Sequence, residues 1–110
     1  ITPSCIVRPQ DSGRRALKVM NENNVSSAYV VDNQMNFVGV LTVDDALEAK
    51  KNNINVSNYI INDVTTVNLE TSVSDIVPLF TEANYPVPVI NDTGKLKGIV
   101  SKVAVLSSMV

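Results

Sequence analysis

Thr42 and Asp45 stand three residues apart, just after the apolar run Phe37-Val38-Gly39-Val40-Leu41. That spacing brings a hydroxyl and a carboxylate to the start of the helix that follows. A hydroxyl with the free N–H groups of a helix N-terminus suits a phosphate, and a carboxylate three residues on can accept hydrogen bonds from sugar hydroxyls. The same spacing is close to a capping box, in which the side chains satisfy the helix's own first donors and no ligand is needed. Asp44, Asp45 and Glu48 form a small acidic cluster. Acids in a first helical turn already answer to the helix dipole, so no metal is assigned. Further along, Ser101 and Lys102 place a hydroxyl beside a cation. Their chemistry also suits a phosphate, while a lysine at a helix start is most simply a solvated one.

What is missing narrows the chemistry. The 110 residues include no histidine and no tryptophan, so there is no His-based general base, zinc site or Cys-His pair to expect. No residue is assigned as catalytic, and the chain reads as a non-enzyme. Nine Lys and Arg are scattered against eleven Asp and Glu for a net charge of −2, which gives no footprint for nucleic acid. The single cysteine, Cys5, has no partner for a framework disulfide. It fits a reducing compartment, hence the cytoplasm, and a place near the core. No apolar run approaches the roughly 20 residues of a membrane-spanning helix. The chain opens on Ile1 without signal-peptide features and is expected to be part of a longer protein. Gly94-Lys95 has neither the spacing nor the following hydroxyl of a phosphate-binding loop, so nucleotide hydrolysis would lie elsewhere. Arg14-Arg15 and Lys50-Lys51 are short basic clusters. Two charges supply only about 2 kcal/mol at an anionic lipid surface, and a solvated helix face explains them better.

The elements that must position these groups come as a repeat. In the first half, Ser12 precedes a helical stretch with Ala16, Leu17, Val19 and Met20, followed by the apolar run Ala28 to Val31 and then Asp32. A turn at Asn33-Gln34-Met35-Asn36 leads to the strand Phe37 to Thr42, and Asp44 to Lys50 has the composition of a helix. About sixty residues on, the order recurs. Ser72 precedes Val73, Ile76, Val77 and Phe80 at helical spacing, and Pro78 places that helix's start near Ser74 or Asp75. Val87 to Ile90, the turn Asn91-Asp92-Thr93-Gly94, the strand Leu96 to Ser101 and a closing helix over Val103 to Met109 complete it. Each half reads helix, strand, strand, helix, and neither hairpin buries its apolar face alone. The expected fold is α/β, with repeats over residues 4–50 and 62–110 and a connector over 51–61 that docks on the body through its apolar residues.

With the repeat, Val-Val-Asp at a strand end, Gly39-Val40-Leu41-Thr42-x-x-Asp45 and Gly94-Lys95-Leu96-Lys97-Gly98-Ile99-Val100 in view, nearly the whole chain resembles a tandem pair of CBS domains, a Bateman module. The stretches Val25 to Asp32, Thr42 to Ala46 and Val100 to Leu106 are similar to one subgroup, the regulatory module of the ATP-binding subunit of glycine betaine/proline (osmoprotectant) ABC transporters. The resemblance implies two repeats packed with pseudo-two-fold symmetry, a homodimer, and ATP-binding and membrane subunits as partners at the inner face of the cell membrane.

The family's nucleotide signature, an apolar strand followed by Thr or Ser, two residues and Asp, falls here on Val40, Thr42 and Asp45. The second repeat departs from it, since Ser101-Lys102-Val103-Ala104 has no acid, so one such site at most is implied. No cofactor is required. An adenine nucleotide, or cyclic di-AMP at the dimer interface near Tyr85, Ile99, Ser101 and Lys102, is the implied regulatory ligand, with ionic strength as the other input. Tyr85 reads more simply as an ordinary core or rim aromatic. An adenylate-sensing pair attached to a metabolic enzyme and a ligand-free dimerisation module are the alternatives.

Overall fold

The computed structural model describes residues 5–68, 70 and 86–100. The chain divides into two compact units, Ser4–Val64 and the chain from Thr65 onward. The first unit contains β1 (Ile6–Val7), α1 (Gly13–Glu22), β2 (Ser27–Val31), β3 (Phe37–Thr42), α2 (Val43–Asn52) and a 3-10 turn at Val56–Tyr59. Its sheet has the order β1-β2-β3, with β1 parallel to β2 and β2 antiparallel to β3.

Local chemistry fixes both helix ends. Ser12 caps α1, its hydroxyl accepting the Arg15 N–H at 3.0 Å. Thr42 caps α2 in the same way, and Asp44 and Asp45 fall in that helix's first turn while Lys50 and Lys51 fall in its last, the arrangement the helix dipole favours. At the far end Asn53 takes the left-handed conformation, φ 56° and ψ 45°, that closes a helix. The buried positions of the two helices are small apart from Met20: Gly13 and Ala16 in α1, Ala46 and Ala49 in α2. Their backbones nearly touch. A Cβ on Gly13 would collide with the Lys50 amide and lie 2.5 Å from the Ala46 carbonyl oxygen.

Cys5, Val7, Met20, Ala28, Val30, Leu41 and Val56 form the core together with those alanines. Tyr29, Val31 and Val40 are also buried, and strand alternation turns Tyr29 and Val31 to the opposite face from Ala28 and Val30. A strand buried on both faces explains why Ala28 to Val31 is apolar without a break. Cys5 sits near the core as its neighbours suggest, and burial pushes its thiol up to about 11 from an ordinary 9.0.

In the second unit β4 (Val67–Asn68), β5 (Val87–Ile90) and β6 (Leu96–Val100) repeat the first sheet, in the order β4-β5-β6 with one parallel and one antiparallel pair. The correspondence extends to a register shift. Val30 pairs with Gly39 and Val31 with Phe37, and likewise Val89 pairs with Gly98 and Ile90 with Leu96, one residue being passed over at the same place in each hairpin. The expected α/β fold is therefore seen, with one correction. Each repeat opens on a two-residue strand, β1 or β4, that the helix-strand-strand-helix reading omitted, because two residues carry no measurable period. The helix expected over residues 73–80 and the closing helix over 103–109 lie outside the described residues.

Candidate functional site

Thr42 is both the last residue of β3 and the N-cap of α2. Its extended backbone, φ −88° and ψ 161°, turns the chain from strand into helix, and its hydroxyl oxygen accepts the Asp45 N–H at 3.3 Å. That is one arm of a capping box. The reciprocal arm, from the residue-45 carboxylate back to the Thr42 N–H, does not form. Among the described residues the partly buried Asp45 carboxylate has no hydrogen-bond or ion-pair partner. The cap thus uses the hydroxyl and leaves the acid uncommitted. An acid held at a helix start beside a hydroxyl can accept the hydroxyl protons of a sugar while the N-terminal amides face an anion.

Val40 contributes differently. Its side chain is fully buried, and its backbone is engaged on the strand edge: the Val40 N–H donates to the Ile61 carbonyl and the Ile61 N–H donates to the Val40 carbonyl, both at 2.9 Å. Val40 and Thr42 thus lie two residues apart in β3 and Asp45 in the first turn of α2, with Ile61 paired to Val40, a neighbour that spacing did not indicate. Ile99 lies in β6 and is half-buried. Tyr85, Ser101 and Lys102 lie outside the described residues.

A second feature of the first unit went unread in the sequence. A pocket of about 370 Å³ opens between the start of α1 and the end of α2, lined among others by Ser12, Arg14, Lys50, Asn53 and Asn55. None of Val40, Thr42 and Asp45 lines it. The two basic clusters were visible as Arg14-Arg15 and Lys50-Lys51; that Arg14 and Lys50 would line one pocket, where Gly13 meets the Lys50 backbone, was not. All four side chains are exposed and none forms an ion pair among the described residues, where the one such contact is the solvent-exposed pair Lys18 and Glu22 at 3.9 Å. Also among the described residues, no cluster of acids, cysteines and histidines could hold a metal, and no helix is long and apolar enough to cross a membrane.

The glycine betaine transport ATP-binding protein OpuAA of Bacillus subtilis is 30% identical over 103 residues, 94% of this chain and 25% of its own length. The glycine betaine/carnitine transport ATP-binding protein GbuA of Listeria monocytogenes is 32% identical over 110 residues, 99% of this chain and 28% of its own. The chain thus spans about a quarter of the length of these relatives. Among solved structures, Staphylococcus aureus OpuCA superposes with a TM-score of 0.86 at 18% identity, covering 99% of this chain and 93% of that one. CBSX2 in complex with AMP gives 0.84 at 25% identity, over 99% and 91%. CbpB in complex with c-di-AMP gives 0.77 at 16%, over 96% and 76%. The model of the CBS domain matches residues 1–52 and again 56–110, and the chain belongs to the CBS domain family as a tandem pair of regulatory domains.

Proposed function

We propose that this chain is the ligand- or ionic-strength-sensing regulatory module of the ATP-binding subunit of a glycine betaine or related osmoprotectant transporter. The observation that carries the reading is its similarity, at 30% and 32% identity over 94% and 99% of the chain, to parts of two such subunits. The module works as a homodimer on the cytoplasmic side of the membrane, in contact with the transporter's ATP-binding and membrane subunits. Its own chemistry is binding, and its effect is on the geometry of the subunits to which it is joined.

An adenine nucleotide is the ligand class that fits Thr42 and Asp45. Support comes from the uncommitted carboxylate beside the cap hydroxyl and from a structural relative, 25% identical, that is complexed with AMP. Cyclic di-AMP at the dimer interface near Tyr85, Ile99, Ser101 and Lys102 is the other ligand this reading admits, and a relative of the same fold is complexed with it. A thermal-shift titration of the chain with AMP, ATP and cyclic di-AMP, repeated from low to high potassium chloride, tests the assignment. Binding at 100 times the dissociation constant adds about 2.7 kcal/mol to stability. A response to AMP or ATP that disappears in Asp45→Ala supports the Thr42 site, and a response to cyclic di-AMP that survives this substitution moves the site to the second repeat. Failure of every nucleotide at every salt concentration removes the nucleotide assignment.

A further inference from the structure

The outer edge of β3 is closed at one point by a strap from further along the chain. Asn55 to Ile61 is anchored at its start, where Val56 is fully buried and its N–H donates to the Asp11 carbonyl at 2.9 Å. At its end Ile61 makes its two backbone hydrogen bonds with Val40. Gly39 makes the approach feasible, since a Cβ there would run into the Ile61 carbonyl oxygen and lie 2.7 Å from Cγ2 of Ile60. Val40 precedes Thr42 by two residues, so on a strand's period of two both direct their backbone groups to this same edge. The strap therefore ends where the Thr42 and Asp45 pair begins. With both polar groups of Val40 already taken, a ligand at Thr42 and Asp45 has to lie beside Ile61 rather than replace it.

From this juxtaposition we propose that the pairing of Ile61 with Val40 is a conformational device coupled to the site. Nucleotide held by Thr42 and Asp45 tightens the strap, and by reciprocity an opened strap weakens nucleotide binding. The inference rests on the nucleotide reading of that site. Its consequence reaches beyond the site, because residues 62–66 carry the chain directly from the strap to β4 and the second unit. Covering a sheet edge also protects it from aberrant pairing, and a strap with that role alone would not respond to ligand.

The test uses AMP as probe on the 110-residue chain, with calorimetric titration and amide hydrogen exchange. Ile61→Pro removes the Ile61 donor, and Ile60, at φ −74° and ψ 126°, already has the backbone that a following proline requires. Ile61→Val keeps both hydrogen bonds. The expected results are that AMP slows exchange at the Val40 and Ile61 amides of the unmodified chain by about tenfold, that Ile61→Pro binds AMP about tenfold more weakly, and that Ile61→Val binds as the parent does. If the parent binds AMP without slowing those two amides, or Ile61→Pro binds with parental affinity, the coupling is refuted while the site stands. If the folded parent fails to bind AMP, the site reading falls and the coupling with it. Should Ile61→Pro not fold, the exchange experiment on the parent decides alone.

Discussion

At the scale of single residues, Thr42 and Asp45 divide two tasks that one motif is usually taken to perform together. Thr42→Ala removes the acceptor of the Asp45 N–H and should lower stability by about 1 kcal/mol, the usual cost of a lost N-cap, as read from denaturant melts. Asp45→Ala keeps that cap and gives up an acid in the first turn, worth about 0.3 to 1 kcal/mol. Its larger effect should be on nucleotide affinity, with a loss of at least about tenfold in calorimetric titration, since hydrogen bonds to a charged acceptor contribute about 1.5 to 3 kcal/mol each. Cys5 has a separate signature. The folded chain holds the thiol protonated up to about 11, whereas an unfolded chain ionises near the ordinary 9.0. Unfolding therefore releases a proton above that lower value, and stability should be level below about pH 8 and fall as pH climbs from 9 toward 11. Denaturant melts across that range check the sign. Alkylation of native protein at neutral pH should be slow, because the thiol is buried as well as protonated.

At the scale of elements, the two hairpins solve one turn in two ways. Asp32 Oδ1 accepts the N–H groups of Gln34 and Asn36 at 2.9 Å each, and Asn91 Oδ1 accepts those of Thr93 and Lys95 at 3.0 Å each. Both turns then need a left-handed residue, filled by Met35 at φ 67° in the first and by Gly94 at φ 83° in the second. Met35→Gly should stabilise the first hairpin by a few tenths to about 1 kcal/mol, and Gly94→Ala should cost the second about 1 kcal/mol, both from melting curves. The Met35 site gains less than the steric term alone suggests, because its sulfur also lies 3.9 Å from an Arg8 guanidinium nitrogen. At Gly13 no turn is involved. Gly13→Ala should cost about 1 to 3 kcal/mol by forcing α1 off α2. These cases mark what the sequence could disclose. Ser12 and Thr42 were readable as caps because a cap is decided within three residues. The left-handed Met35 was not, since methionine gives no local signal for that conformation. Strands β1 and β4 escaped notice for want of length. The pairing of Ile61 with Val40 and the meeting of Arg14 with Lys50 in one pocket depend on tertiary approach through glycines whose role appears only once the chain is folded.

At the scale of the whole molecule, family membership was legible because its pattern is written twice, at a separation of about sixty residues, with the strand that holds Gly98 mirroring the one that holds Gly39; the register shift that the two hairpins share appeared only in the fold. Ligand identity was not legible to the same degree. One repeat keeps the Thr-x-x-Asp spacing and the other ends on Ser101 to Ala104, so the sequence points to an asymmetric pair without saying what the asymmetry recognises. A regulatory module shifts its parent's equilibrium only by the difference in ligand affinity between two arrangements, typically about 1 to 3 kcal/mol, a five- to 150-fold change in a binding constant. In the role proposed for it, this chain passes such a bias to a transport ATPase. That role is tested most directly by reconstituting the full-length subunit that carries this module with its membrane partner in liposomes, and measuring ATP hydrolysis against potassium chloride and added nucleotide, with the module present and with it removed. The response to salt or nucleotide should disappear when the module is removed; an unchanged response without it would show that the module passes no such bias.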